Sequence, residues 1–163
     1  MSSHYLLFDA GGTLIFPNHI RIAELTRRFG LVVDQEHARR AVMQAIYAMD
    51  VDLYRAAIKR GFKTEPVPEE ILVRLQVDSP QKDDSFTPSY YLYVATFLGT
   101  SDSLAQDLAH ELRNQEASRS LWNLTFPWVG EALRRLSQLG YRMSVVSNSD
   151  GRVASILEEV GLA

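Results

Sequence analysis

Cysteine is absent from the 163 residues, which excludes a disulfide framework and any thiolate metal site. Long apolar runs are missing too: no stretch approaches the ~18 residues that a membrane-spanning helix needs. No basic segment followed by a long apolar run opens the chain, so no signal peptide is read and a cytoplasmic protein is the expectation. Charge of one sign is also lacking. With 17 basic against 20 acidic residues the formal net charge is −3, which argues against a general nucleic-acid binder. The pairs Arg27-Arg28, Arg39-Arg40 and Arg134-Arg135 stand isolated on expected helices and fit solvated faces better than a phosphate track. No internal repeat or low-complexity segment is visible. What remains is ordinary for a globular chain: 46% hydrophobic and 23% charged residues, and enough length for one domain or one domain with a small insertion.

The chain is organised around Tyr5-Leu6-Leu7-Phe8-Asp9-Ala10-Gly11-Gly12-Thr13-Leu14-Ile15. Four apolar residues are too few for a helix and read as a buried strand, as in a parallel sheet covered on both faces. The strand stops at a carboxylate. Two glycines follow, which allow a sharp turn or a close approach of backbone N–H groups to an anion. Open α/β sheets place ligands at such carboxyl ends of strands. A plain turn aspartate is the competing reading, because Asp and Gly are common turn residues.

Phe16-Pro17-Asn18 reads as a short turn leaving this loop. An amphipathic helix is expected from His19 to Phe29, with Ile22, Leu25 and Phe29 on one face and Gly30 as its terminator. Asp34 is a good N-cap for a second helix to about Arg60, carrying Ala38, Val42, Ala45, Ile46, Met49, Leu53 and Ala57 on one side, with Gly61 to close it. Residues 62–88 hold four of the six prolines and read as a surface connection with one short helix near 69–75. Thr87-Pro88 looks like the start of an aromatic-rich helix to Leu98, ended by Gly99. Ser101 or Asp102 caps another to about Ser118. A further amphipathic helix follows Phe126-Pro127-Trp128, with Val129, Leu133 and Leu136 on one face, and ends at Gly140. Tyr141 to Val146 is a strand. Ser147-Asn148-Ser149-Asp150 is a polar turn whose Ser149 or Asp150 can cap a last helix, 151–160, closed by Gly161. Residues 17–120 hold no convincing strand, so the pattern is α/β with a helical block inserted after the first strand.

Phe8-Asp9-Ala10-Gly11-Gly12-Thr13-Leu14 resembles the first motif of the haloacid dehalogenase (HAD) superfamily, Asp-Xaa-Asp-Xaa-Thr. Val145-Val146-Ser147-Asn148 resembles its second, an apolar strand ending in Ser or Thr. The two occur in the right order on the right elements. The resemblance implies a HAD-like (Rossmannoid) core, 1–16 and 125–163, with an inserted C1-type helical cap, 17–124. It implies Asp9 as nucleophile, forming an aspartyl-phosphate. Gly11, Gly12, Thr13, Ser147 and Asn148 would hold phosphate, with Ser147 in the catalytic set. Mg²⁺ is the implied cofactor, held here by Asp9 and the Gly11 carbonyl.

The departures from the family pattern matter as much. Gly11 stands where the phosphatases have a second Asp, the general acid. The family's third motif (Lys or Arg) and fourth (an acidic pair on a further strand) are not seen: the last lysine is Lys82, and Arg152 is the single basic residue after Asn148. Only two core strands are read, so the core is expected to be incomplete and the chain to be the N-terminal part of a longer protein, with its own C-terminal part as a partner. Three functions compete: a phosphatase-type hydrolase of a small phosphorylated substrate first; a C–halogen hydrolase acting on a halogenated substrate second; a non-catalytic binding or regulatory module third. His19 could donate a proton but reads better as a helix-start residue. His4, His37 and His110 show no ligand spacing. Tyr90, Tyr91, Tyr93 and Trp128 read as core rather than as a substrate platform. Lys59 or Lys63 reaching over the site from the cap is a minor alternative.

Overall fold

A computed structural model of the chain describes residues 4–59, 90–147 and 149–163, without side chains for 52–59. The elements are β1 (Tyr5–Phe8), α1 (His19–Thr26), α2 (Gln35–Lys59), α3 (Tyr90–Phe97), α4 (Asp102–Ser118), α5 (Pro127–Gln138), β2 (Arg142–Val145) and α6 (Val153–Glu159). The expected helix near 69–75, the Thr87-Pro88 cap and Gly61 lie outside the described residues, as do Asn148, Lys63 and the side chains of Leu53, Ala57 and Lys59. No helix among the described residues is long and apolar enough to cross a membrane.

Two compact units divide the chain. One comprises residues 1–18 and 115–163, the other 19–114. The discontinuous unit is larger than the expected 1–16 plus 125–163, because residues 115–124 belong to it. They are stitched in by an antiparallel bridge between Phe16 and Leu124 and by the Asn18 N–H, which donates to the Leu121 carbonyl at 2.6 Å. Residues 16–18 are thus a paired segment rather than a simple turn.

In the continuous unit the local signals act as read. Asp34 caps α2: its carboxylate accepts the N–H of His37 at 2.7 Å. After α1 a short 3₁₀ turn, Arg27–Phe29, ends at Gly30, whose φ of 74° is the left-handed conformation that glycine adopts without strain. α2 packs against α1 and α3. Ile22, Ala38, Val42, Ala45, Tyr93, Val94, Leu108 and Leu112 are buried together with Tyr90 and Tyr91, so the tyrosines of α3 are core residues.

In the discontinuous unit β1 and β2 form a two-stranded parallel sheet, with Tyr5 opposite Arg142 and Phe8 opposite Val145. One apolar cluster joins Ala10, Leu14 and Ile15 to Val129 of α5 and to Ile156 and Leu157 of α6, with Phe8 packed against it. β1 is not covered on both faces as expected: Tyr5 is 62% and Leu7 71% exposed, while Leu6 and Phe8 are half-buried. The strand alternates, as a sheet packed on one side does. Trp128 also departs from its reading. It is 61% exposed and lies parallel to Phe126 with centroids 6.0 Å apart, so it belongs to the surface and not the core.

Candidate active site

Asp9 is the first residue beyond the paired part of β1. Its side chain is exposed, and Oδ1 accepts the N–H of Ala10 at 2.8 Å. The ladder runs one step past the last strand pair, because the Val146 N–H donates to the Phe8 carbonyl at 2.9 Å. Both strands therefore end at one edge, with Asp9 on the first and Ser147, also exposed, on the second. Neighbouring strands lie ~4.8 Å apart. A carboxylate and a hydroxyl are thereby brought to one end of the sheet.

The loop between Asp9 and Ile15 is held from inside. The carbonyl of buried Ala10 accepts the N–H groups of Thr13, Leu14 and Ile15 at 3.3, 2.9 and 3.0 Å. Gly12 has φ 76°, and its N–H donates to the Ile15 carbonyl at 2.8 Å. This corrects the expectation for Gly12: its N–H faces into the turn and is engaged there, so it is not presented to an anion. Thr13 likewise contributes an exposed hydroxyl rather than its N–H. Gly11 is exposed and does not have a positive φ. Asn148, the remaining expected phosphate contact, is outside the described residues.

Beside this loop stands a residue that the sequence did not single out. A Cβ placed on Gly11 would lie 3.5 Å from Cζ3 and 3.7 Å from Cε3 of Trp122. The indole is brought there by the 120–126 segment. That segment is fastened by the Phe16–Leu124 bridge and by Thr125, whose hydroxyl donates to the Leu14 carbonyl at 2.8 Å. Ser120 Oγ accepts the Trp122 N–H at 3.1 Å. No local pattern marks Trp122 as a site residue, because its partners lie about a hundred positions away.

Arg152, the single cation after Asn148, is engaged on three sides. Nε donates to Asp150 Oδ2 at 2.6 Å, Nη1 to the Glu116 carbonyl at 2.7 Å, and Nη2 to Glu116 Oε1 at 2.8 Å. Glu116 also accepts the Ser120 hydroxyl at 2.9 Å and the Leu121 N–H. The guanidinium is thus a clasp between the end of α4 and the turn after β2. It follows that Ser149 and Asp150 do not cap α6: Asp150 turns to Arg152, and the helix begins after Arg152 with no side-chain cap.

Comparison with family models and with curated proteins gives no match for this chain. The site is therefore read from its own residues.

For Mg²⁺ the donors present are one carboxylate, Asp9, and the Gly11 carbonyl. Among the described residues no three His, Cys, Asp or Glu side chains group to hold a metal. A hard cation that prefers six oxygens is not fitted by this set. A calorimetric titration of the chain with Mg²⁺ should show no micromolar affinity; a micromolar Kd would reveal a further ligand.

Breaking the clasp has a calculable outcome. Arg152→Ala removes charged hydrogen bonds from half-buried Glu116 and should cost about 1–3 kcal/mol in urea unfolding. The hydrogen bond from Arg152 holds the Asp150 carboxyl below the ordinary carboxylate value. Its contribution is present above the unfolded-state pKa, about 4, and fades as pH falls through the lower folded value. The destabilisation by Arg152→Ala should therefore shrink below about pH 4; a cost unchanged down to acid pH would contradict the role given to Asp150.

Proposed function

We propose that this chain is a HAD-like, phosphatase-type hydrolase, with Asp9 attacking the phosphorus of a small phosphorylated substrate. The observation that carries the reading is the exposed Asp9 carboxylate at the carboxyl end of β1, next to the strand end that bears Ser147. Ligands of open α/β sheets bind at such ends.

In this reading a carboxylate oxygen of Asp9 forms a bond to phosphorus while the bond from phosphorus to the leaving oxygen breaks, its electron pair leaving with that oxygen. Water then attacks the phosphorus of the aspartyl-phosphate, releasing inorganic phosphate and a proton and restoring the carboxylate. The N–H of Gly11 and the hydroxyls of Thr13 and Ser147 would donate to the transferring oxygens, stabilising charge as it builds. Gly11 offers no proton to the leaving group. Acid–base help of that kind is worth roughly 10²–10⁴ in rate, so activated phosphates are the expected substrates. No residue described here is assigned to screening the anionic charge, since Arg152 is engaged elsewhere.

The test is covalent. After exposure to acetyl phosphate, acid quenching and digestion, the peptide containing Asp9 should carry one phosphoryl group by mass spectrometry. Phosphate binding without any modification of Asp9 would favour a non-catalytic binding module. The engagement of Arg152 in a structural clasp is the observation on that side.

A further inference from the structure

We infer that the Gly11–Trp122 contact forms the leaving-group side of this site, and that it selects phosphate monoesters of planar aromatic alcohols. The inference rests on the reading of Asp9 as nucleophile and adds the substrate class.

Three observations lead to it. First, Gly11 lies two residues from Asp9 and exposes backbone only, so nothing of its own separates a bound ester from the neighbouring indole. Second, the atoms of Trp122 nearest to Gly11 are Cε3 and Cζ3, the outer carbons of the six-membered ring, at ordinary van der Waals range from where a Cβ would be. Third, Trp122 is half-buried against the apolar cluster and its segment is fastened by the Phe16–Leu124 bridge, so the ring is held in place before any ligand arrives. A fixed, partly exposed indole edge beside the exposed Asp9 loop can take an aromatic ring in the offset or edge contacts that such rings prefer.

The chemistry agrees with the shape. Without a carboxyl at position 11 the leaving oxygen departs unprotonated. A phenoxide, with a conjugate acid near the ~10 of a tyrosine hydroxyl, does so readily. An alkoxide resembles hydroxide, the conjugate base of a far weaker acid than a phenol, and does not. The bond that forms is from Asp9 oxygen to phosphorus, the bond that breaks is from phosphorus to the aryl oxygen, and the aryl oxide takes its proton from water afterwards.

Calorimetry with phenyl phosphate, methyl phosphate and inorganic phosphate tests this on the full chain. Phenyl phosphate should bind about 10-fold more tightly than methyl phosphate, within what stacking of one ring supplies. Trp122→Phe should keep the preference. Trp122→Ala, checked for an unchanged circular dichroism spectrum, should reduce the ratio to about one. A parent ratio near one, or a preference that survives Trp122→Ala, overturns the inference. If Trp122→Ala does not fold, a parent ratio near one or a preference lost in Trp122→Phe does so instead. Methyl and inorganic phosphate binding with no aryl preference would sink this inference alone. No binding of any of the three would remove the phosphate-site reading together with it.

Discussion

Replacing Asp9 by Asn is expected to reduce hydrolysis of acetyl phosphate to the uncatalysed background, because the covalent nucleophile is removed. Asn keeps the size of the side chain and an acceptor oxygen for the Ala10 N–H, so the loop held by the Ala10 carbonyl should persist. The change therefore isolates charge and nucleophilicity from structure. Turnover by the parent is expected to be slow, because Gly11 offers no acid and Arg152 is engaged with Asp150 and Glu116. Gly11→Asp is the companion variant. Its Cβ would make ordinary contact with Trp122, and position 11 does not have a positive φ, so a side chain there is tolerated at its root. Restoring a proton donor should extend activity towards esters with poor leaving groups by roughly 10²-fold or more. Steady-state release of phosphate from acetyl phosphate and from an alkyl phosphate, in parent and both variants, reads all of this. Full activity in Asp9→Asn would make Asp9 a turn residue and nothing else.

Tyr93→Ala should cost about 3–5 kcal/mol, as truncation of a fully buried aromatic does. Tyr93 has no exposed surface and packs its ring near Phe97, with centroids 6.5 Å apart. The removed ring leaves a space that the helices around it can only partly close. A melting temperature lower by roughly 10 °C is the corresponding thermal outcome. The matched control is Trp128→Ala. Although tryptophan is the larger side chain, this one is 61% exposed and loses little beyond its stacking on Phe126, about 1 kcal/mol or less. Urea unfolding followed by circular dichroism separates the two. Equal effects would mean that burial does not order the aromatic residues of this chain.

Element types and ends were legible from residues close together along the chain. Gly30, Gly99, Gly140 and Gly161 all have positive φ at the ends of helices, where their lack of a side chain makes that conformation accessible. Asp34 caps the helix that it precedes. The order of strands and helices, and the placing of Asp9 and Ser147 at strand ends, followed from apolar patterning, because a strand's length and its terminating residue are local properties. Tertiary structure decided everything that depends on partners far apart in sequence. The Gly-Gly pair allows either a sharp turn or an approach to an anion, and for Gly12 the Ile15 carbonyl decides it by taking the N–H. Arg152 is the single basic residue after Asn148, and only the approach of Glu116, 36 positions away, makes its guanidinium a structural clasp. Which tryptophan is exposed, and which stands against Gly11, is set by the returning 120–126 segment and not by either residue's neighbours. The coverage of β1 was equally out of reach: an apolar tetrad states that burial is favourable, but only the placement of the packed elements determines which of its faces receives it.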